Sequence, residues 1–340
     1  MSNSDQHFRP ATLARVAELA GVSLKTASRV FNGEPHVTTK TRDRVLEAAR
    51  ELDFQINSPA SMLKRGIDST GIALVVGDIS NPFFSALARG VESETRARGG
   101  FLTLASSDES ADEEKRLVDE FLRRHVRGIV LSSTLVEHSS LDFIRARGTG
   151  LVFVDRPPVG MEADSVLLDN EGGARAATEH LLAHGHRNIA FVGDYGRLAT
   201  HRERMRGFAE AMTAAGMPDW RSAVHEGAHD ADTARALITQ VLRAPEPPTA
   251  ILASNNRIAI GAISAIRDAS SPTALIGIDD FDLADVLGIT TMSHDPGEMG
   301  RIAAERLFST APNPVLAAGP NQVVLPMTLV ERGSGELPAT

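Results

Sequence analysis

The segment TLARVAELAGVSLKTASRVFNG, residues 12–33, carries the pattern of two short helices joined by a tight turn. Thr12 can cap the first helix and Ser23 the second, because hydroxyl side chains accept hydrogen bonds from the free amides at a helix start. Gly21 permits the left-handed backbone that commonly ends a helix. The apolar positions of the first helix follow helical spacing and are Leu13, Val16, Ala17 and Ala20. The segment therefore predicts a helix-turn-helix.

The second of these helices carries a polar and basic stripe. Lys25, Ser28, Arg29 and Asn32 lie at i, i+3, i+4 and i+7, which is one face of a helix. In a DNA major groove, such side chains can bond bases or phosphates, and Leu24 can contact a thymine methyl. On spacing alone, a solvated face of a small helical domain fits equally well. The candidate DNA-contacting residues in this segment are Thr12, Ser23, Leu24, Lys25, Thr26, Ser28, Arg29 and Asn32.

A third helix is predicted to begin at Thr38 or Thr39, and its apolar stripe is Val45, Ala48, Ala49 and Leu52. Residues 1–66 hold ten Lys or Arg against seven Asp or Glu, whereas the whole chain of 340 residues has a net charge of -9. A mildly basic head on an acidic body indicates a head that meets a polyanion.

Several classes of protein are excluded or disfavoured. The absence of cysteine excludes disulfides and thiolate metal sites. No apolar run approaches the roughly 20 residues of a membrane span, and the N-terminus lacks a secretory layout, so we expect a cytoplasmic protein with no membrane partner. No dinucleotide, P-loop or zincin motif occurs, so we expect no cofactor and no enzyme activity. His180 and His184 have metal-compatible spacing, but their place at a helix end favours no metal.

A short helix is predicted between the head and the body, in NSPASMLKRG, residues 57–66. Ser58 can cap it, Pro59 suits its first position and Gly66 ends it. Because isolated helices below roughly 12 residues are marginal in water, this one should form only when another surface packs on it. A plain linker is the alternative. We therefore divide the chain into a head at 1–57, a hinge at 58–66 and a body at 67–340.

The body alternates apolar strand-like runs with helix-length segments. The runs are GIALVV, GFLTL, GIVLSS, GLVFVD, NIAFVG, AILAS and ALIGID, and each is expected to lead into a helix. Repeated strand-helix units predict a mostly parallel, doubly wound sheet, and the length suits two such lobes. The acidic run DESADEEKRLVDEF, residues 108–121, is interpreted as a capped helix start that needs no ligand.

Polar residues follow several of these runs, at the strand ends where open α/β sheets bind ligands. Asp155 and Arg156 follow one strand, Asn255 and Asp279 follow two others, and Arg204 is expected to open a helix. With Asp78, Asn81, Phe83 and Phe84 after the first strand, these residues suit sugar hydroxyls and the apolar faces of sugar rings. Taken singly, each also fits a core, surface-pair or turn role. Together they predict a sugar pocket.

The head and hinge, from TLARVAELAG to SPASMLK, resemble the lactose-repressor (LacI) family of bacterial transcription regulators. The resemblance implies that Leu24, Lys25 and Arg29 contact bases and that Leu63 inserts into the minor groove at the operator centre. Family hinges often carry Arg where Ser61 stands, and Lys64 and Arg65 are the neighbouring residues expected to compensate.

The body resembles type I periplasmic sugar-binding proteins, especially those for ribose, in NPFF, DR, the Arg of RER, Asn255 and Asp279. His229 stands where an aromatic residue is usual and His294 where Gln is usual, which argues against plain ribose. The implied effector contacts are Asn81, Phe83, Phe84, Asp155, Arg156, Thr200, Arg204, His229, Asn255, Asp279 and His294.

The expected fold is therefore an α/β protein with a small all-α helix-turn-helix head and a two-lobed, doubly wound body of the periplasmic-binding-protein type. We place one lobe at about 67–168 and 298–326 and the other at about 169–297 and 327–340. The resemblance implies a repressor that binds palindromic operator DNA under control of a ribose-like pentose, a nucleoside or a related sugar. A sugar-binding protein without operator activity is the alternative. Because ERGSGELPAT contains no leucine heptad, we expect a homodimer rather than a tetramer.

Overall fold

The structure is a computed structural model that describes residues 11–31, 34–35, 37–54, 71–309 and 321–339. The chain divides into two compact units: Met1–Ser69, which spans the predicted head and hinge, and Thr70–Thr340, which spans nearly all of the predicted body. The predicted hinge at 58–66, with Leu63 and Lys64, lies outside the described residues, as does Asn32. Within the described ranges, every helix is too short or too polar to cross a bilayer.

The head contains three helices around one small core: α1 (Leu13–Leu19), α2 (Leu24–Phe31) and α3 (Thr39–Glu51). The hydroxyl of Thr12 accepts a hydrogen bond from the amide of Arg15 at 3.4 Å, and that of Ser23 accepts one from Thr26 at 3.1 Å. Gly21 turns the chain between α1 and α2 at φ +61°. The core consists of Val16, Ala17, Ala20, Ala27, Val30, Val45, Ala48 and Ala49. The predicted helix-turn-helix is confirmed.

The first lobe of the body is built on six strands: β1 (Ile72–Val76), β2 (Leu102–Ser106), β3 (Gly128–Leu131), β4 (Gly150–Val154), β5 (Asp164–Leu168) and β11 (Gln322–Leu325). The strand order is β11-β5-β4-β3-β1-β2, and every pairing is parallel. Its helices are α4 (Pro82–Ala97), α5 (Ala111–Arg123), α6 (Phe143–Ala146) and α11 (Pro296–Ser309), with a 3-10 turn at Ser139–Leu141.

The second lobe repeats this plan with β6 (Ile189–Val192), β7 (Val224–His225), β8 (Ala250–Ala253), β9 (Ala274–Ile278), β10 (Thr290–Ser293) and β12 (Thr328–Val330). The order is β12-β10-β9-β8-β6-β7, and only β12 among these described strands is antiparallel to its neighbour. The helices are α7 (Asn170–Ala183), α8 (Ala199–Ala214), α9 (Ala231–Val241) and α10 (Asn256–Ala269), with a 3-10 turn at Trp220–Ala223. The predicted two-lobed α/β fold is confirmed.

Two of the expected strand-to-helix steps are wrong. Strand β4 leads to β5 through an irregular loop, because Pro157 and Pro158 disfavour a helix there. Strand β9 leads to β10 through turns, since a single helical turn from Leu283 to Leu287 is followed by Gly288 at φ +66°. The pattern of apolar runs also missed the strands β5, β7, β10, β11 and β12.

Candidate functional site

A cleft lies between the two lobes of the body, beyond the carboxyl ends of both sheets. Ten of the eleven expected effector contacts line it, and His294 does not. The lining residues are Asp78, Asn81, Phe83, Phe84, Glu109, Asp155, Arg156, Asp194, Leu198, Thr200, Arg204, His229, Asn255, Arg257 and Asp279.

Two aspartates occupy equivalent places in the two lobes. Asp155 directly follows β4, Asp279 directly follows β9, and each has a left-handed backbone with φ +67°. This conformation is uncommon outside glycine and concentrates at functional sites. Both side chains are buried. Burial raises the pKa of Asp155 to about 6, although the nearby charges of Arg156 and Arg204 oppose the rise.

Arg204 is the buried centre of the second lobe's half of the cleft. Its two terminal nitrogens donate to the carboxylate of Asp279 at 3.1 and 3.2 Å. Its Nε donates to Asn170 Oδ1 at 2.8 Å, and Nη1 also donates to the carbonyl of Ser254. The helix α8 begins at Ala199, so the expectation that Arg204 opens this helix is wrong: it lies in the second turn. From there its guanidinium reaches the strand ends.

Arg156 is paired in the first lobe with a residue that the sequence did not suggest. Its terminal nitrogens donate to the carboxylate of Glu109 at 2.6 and 3.0 Å, and Nε lies 3.5 Å from Asp155. The interpretation of residues 108–121 as a capped, acid-rich helix start is confirmed, since Ser110 caps α5, but Glu109 just before the helix also lines the cleft. The helix α5 begins at Ala111. Just before it, Asp108 and Glu109 have left-handed φ values of +49° and +54°, and the carboxylate of Glu109 turns towards Arg156.

The same acidic run contains a second buried carboxylate, Glu114, on α5. It accepts hydrogen bonds of 2.6 Å from the hydroxyl of Ser133 and from the amide of Thr134. Burial raises the pKa of Glu114, and these hydrogen bonds oppose the rise. Glu114 thus anchors the loop after β3 to α5 instead of facing solvent.

His229 lines the cleft beside Asp194, another residue absent from the predicted set. Nδ1 of His229 lies 2.9 Å from Asp194 Oδ1, and the imidazole stacks on Tyr195 with ring centroids 4.8 Å apart. The hydrogen bond to Asp194 raises the pKa of His229 above its ordinary value, although burial opposes this. Asn255 caps α10 and also donates to Asp194 at 3.2 Å. Asp194 follows β6 closely, so the strand-end rule could have identified it.

His294 lies behind the cleft wall rather than in it. Its ring centroid is 5.6 Å from that of Phe83, and Nδ1 is 3.8 Å from Asp279. Burial lowers the pKa of His294, so the imidazole is neutral. Neither ring nitrogen has a hydrogen-bond partner among the described residues. His294 is the one expected effector contact that is not among the described lining residues, although it lies close to Phe83 and Asp279, which are.

Polar contacts join the two lobes across the cleft. Arg257 on α10 bonds Asp78 and donates to the hydroxyl of Ser80 at 2.7 Å. The side-chain amide of Asn256 donates to Asn81 at 2.9 Å. Burial alone would raise the pKa of Asp78, but hydrogen bonds from Ser80 and the charge of Arg257 hold it below its ordinary value. The cleft is thus bridged by contacts that a lobe movement would break.

In the head, the predicted stripe lies on the outer face of α2. Lys25 and Leu24 are exposed, whereas Ala27 and Val30 on the opposite face are buried in the core. Arg29 is 43% exposed and lies 3.3 Å from Glu34. The side chains of Thr12 and Ser23 serve as helix caps, and Ser23 also bonds the hydroxyl of Thr26 at 2.8 Å. Ser28 is half-buried.

Comparison with known proteins identifies relatives of both units. Residues 12–57 match the model for bacterial regulatory proteins of the lacI family, and residues 178–335 match that for the periplasmic binding protein-like domain. The regulator DegA of Bacillus subtilis is 30% identical, covering 95% of this chain and 97% of that protein. Each of the next two matches covers at least 95% of this chain and 99% of the solved chain. They are the CelR–cellobiose complex (30% identity, TM-score 0.69) and the Lac repressor dimer bound to operator and the anti-inducer ONPF (27%, 0.81).

Proposed function

The chain belongs to the LacI family of bacterial regulatory proteins and is a DNA-binding transcriptional regulator, and from this premise we propose that it is a repressor of carbohydrate uptake or catabolism genes. A small sugar bound in the cleft between the lobes is the proposed effector. The observation that carries this proposal is the convergence of strand-end carboxylates, amides and guanidinium groups beside Phe83 and Phe84.

The chemistry of the cleft suits a sugar. Hydroxyl groups both donate and accept hydrogen bonds, so they match a lining that alternates carboxylates with amide and guanidinium donors. The rings of Phe83 and Phe84 meet nearly edge to face at 5.0 Å and offer apolar surface to a sugar ring. The relative solved with cellobiose supports the choice of a sugar over other small molecules. A ribose-like pentose or a nucleoside is the proposed size class.

In the head, we propose that α2 enters the major groove. Lys25 and Arg29 would donate to guanine or phosphate, Leu24 would contact a thymine methyl, and Ser28 would bond phosphate or adenine. The other proposed contacts are Thr12, Ser23, Thr26, Asn32, and the hinge residues Leu63 and Lys64. The exposure of this stripe against the buried face of α2 supports the assignment.

The proposed assembly is a homodimer whose two heads bind the halves of a palindromic operator. An exposed apolar patch on the second lobe supports it, with Leu283, Val286 and Leu287 on one helical turn. Val286 is 76% exposed, and contiguous exposed apolar surface commonly marks an interaction site. The domain division proposed here keeps the head at 1–57, the hinge at 58–66 and the two lobes as predicted.

Replacing Arg29 with alanine tests the DNA-binding face. We expect affinity for DNA from the region upstream of the protein's own gene to fall by about 5- to 150-fold, because a base or phosphate contact of this kind contributes about 1–3 kcal/mol. Fluorescence anisotropy at fixed salt measures this loss, and sugar-induced thermal shifts should be unchanged. Arg96→Ala, which removes an exposed charge from the body, is the matched control. Equal DNA affinity of the Arg29 variant and the wild type would contradict the assignment.

A further inference from the structure

Every cationic group in the described cleft lining already has a carboxylate partner. Arg156 is paired with Glu109, Arg204 with Asp279, Arg257 with Asp78, and His229 with Asp194. Asp155 adds a fifth carboxylate. The lining therefore holds five acidic side chains against three arginines and one histidine. An anionic ligand would meet no unpaired guanidinium among these residues.

The position of Glu109 is fixed by its backbone conformation, by hydrogen bonds and by a neighbouring glycine. Two consecutive left-handed residues, Asp108 and Glu109, aim the carboxylate inward. The amide of Glu109 donates to the carbonyl of Gly77 at 3.2 Å, and the hydroxyl of Thr134 donates to the carbonyl of Glu109 at 3.1 Å. A Cβ at position 77 would lie 2.0 Å from Glu109 Oε1, so the glycine that directly follows β1 leaves the space that the carboxylate occupies.

The pair that results is buried and well aligned. The Glu109 side chain is 5% exposed and meets both terminal nitrogens of Arg156. Burial alone would raise the pKa of Glu109, but the charge of Arg156 and the hydrogen bonds from it hold the pKa below its ordinary value. Glu109 is thus ionised at neutral pH. The Nε of Arg156 is buried, makes no hydrogen bond within the described residues and lies 3.5 Å from the carboxylate of Asp155.

We propose that Glu109 sets the charge selectivity of the cleft. Because its carboxylate accepts the hydrogen bonds of both terminal nitrogens of Arg156, the cleft binds uncharged sugars and excludes phosphorylated ones. This rests on the proposed function of the cleft as the effector site. A phosphate is bound most strongly by the paired N–H groups of a guanidinium. To use those of Arg156, it would have to displace Glu109 and leave a buried carboxylate without its partner, which is strongly unfavourable.

The experiment compares matched neutral and phosphorylated ligands on the full chain: ribose with ribose 5-phosphate, glucose with glucose 6-phosphate, and inorganic phosphate alone. Calorimetry on the wild type should give tighter binding of the neutral member and no binding of inorganic phosphate. In Glu109→Gln the terminal nitrogens of Arg156 lose their carboxylate partner and can bind phosphate. The affinity for the phosphorylated sugar and for phosphate should therefore rise by about 10- to 100-fold, which corresponds to the contribution of one hydrogen bond between charged groups.

Two further variants complete the test. Gly77→Ala should unseat the same carboxylate without removing it and raise phosphate affinity in the same direction, so the proposal can be tested even if Glu109→Gln does not fold. Glu113→Gln removes an exposed acid paired with Arg116 and should leave the selectivity unchanged.

A wild type that binds a phosphorylated sugar as tightly as its neutral counterpart would overturn the proposal. So would unchanged phosphate affinity in both cleft variants. If no sugar of either kind binds the wild type, the proposed effector function of the cleft fails instead, and the inorganic phosphate comparison still decides the role of Glu109.

Discussion

Replacing Arg204 with alanine should lower the free energy of unfolding of the body by about 3–5 kcal/mol, the cost of breaking a buried ion pair from one side. The guanidinium is 6% exposed and satisfies Asp279, Asn170 and the carbonyl of Ser254 at once. Without it, the carboxylate of Asp279 stays buried and loses its two charged hydrogen bonds. Sugar binding should also be lost, because Asp279 lines the cleft.

Urea denaturation followed by tryptophan fluorescence measures this effect. Trp220 is the single tryptophan of the chain and packs against the core of the second lobe. Arg204 belongs to the same lobe. The matched control is Arg206→Ala on the same helix, since Arg206 is 55% exposed and pairs with Glu171 at the surface. Surface pairs contribute about 0–1 kcal/mol, so this control should unfold almost like the wild type. Equal losses for the two variants would contradict the central role assigned to Arg204.

The opposite effect on stability is expected from Asp155→Asn. The folded protein holds the pKa of Asp155 at about 6, against an ordinary value of 3.8. Between about pH 4 and 6 the folded state binds a proton that the unfolded state releases, so stability falls as pH rises through this window. Above it the full penalty remains, on the order of 3 kcal/mol. Asparagine removes the penalty and accepts the left-handed backbone at this position.

The variant should therefore be more stable than the wild type at pH 7.5 and nearly equal to it below pH 4. It should also lose sugar affinity, because a carboxylate of the lining is neutralised. Thermal unfolding across this pH range checks the first result, and calorimetry with ribose or glucose checks the second. Asp219→Asn is the control, because it removes the same charge from an exposed aspartate. A variant that is less stable than the wild type at pH 7.5 would contradict the burial penalty.

The sequence predicts most of the cleft because one geometric rule covers most of it. Parallel strands present their carboxyl ends at one edge of a sheet, so residues directly after apolar runs, such as Asp155 and Asp279, must gather there. Asp194 obeys the same rule and could have been predicted. The burial of His294 beside Phe83 could not be predicted, because it depends on how two side chains pack across the lobe boundary.

Local sequence patterns could not predict which charged residues pair with one another. Glu109 stands in an acidic run that is typical of a helix start, and only its left-handed backbone turns it inward. Its partner Arg156 lies 47 positions later, and the space for the Glu109 carboxylate is provided by Gly77, directly after β1. A local stretch of sequence carries no information on such contacts between distant segments. The sequence therefore predicts most of the groups that line the cleft, but not which of them pair with one another.

The central claim is that a neutral sugar in the cleft controls DNA binding by the head. Its most direct test is fluorescence anisotropy of the full chain with DNA from upstream of its own gene, at fixed salt, with and without the sugar that stabilises the body. We predict preference for this DNA over a scrambled duplex and an affinity change of about 5- to 150-fold with the sugar, the usual range of allosteric coupling. Equal affinity for both duplexes, or an affinity for the upstream DNA that saturating sugar leaves unchanged, would contradict the claim.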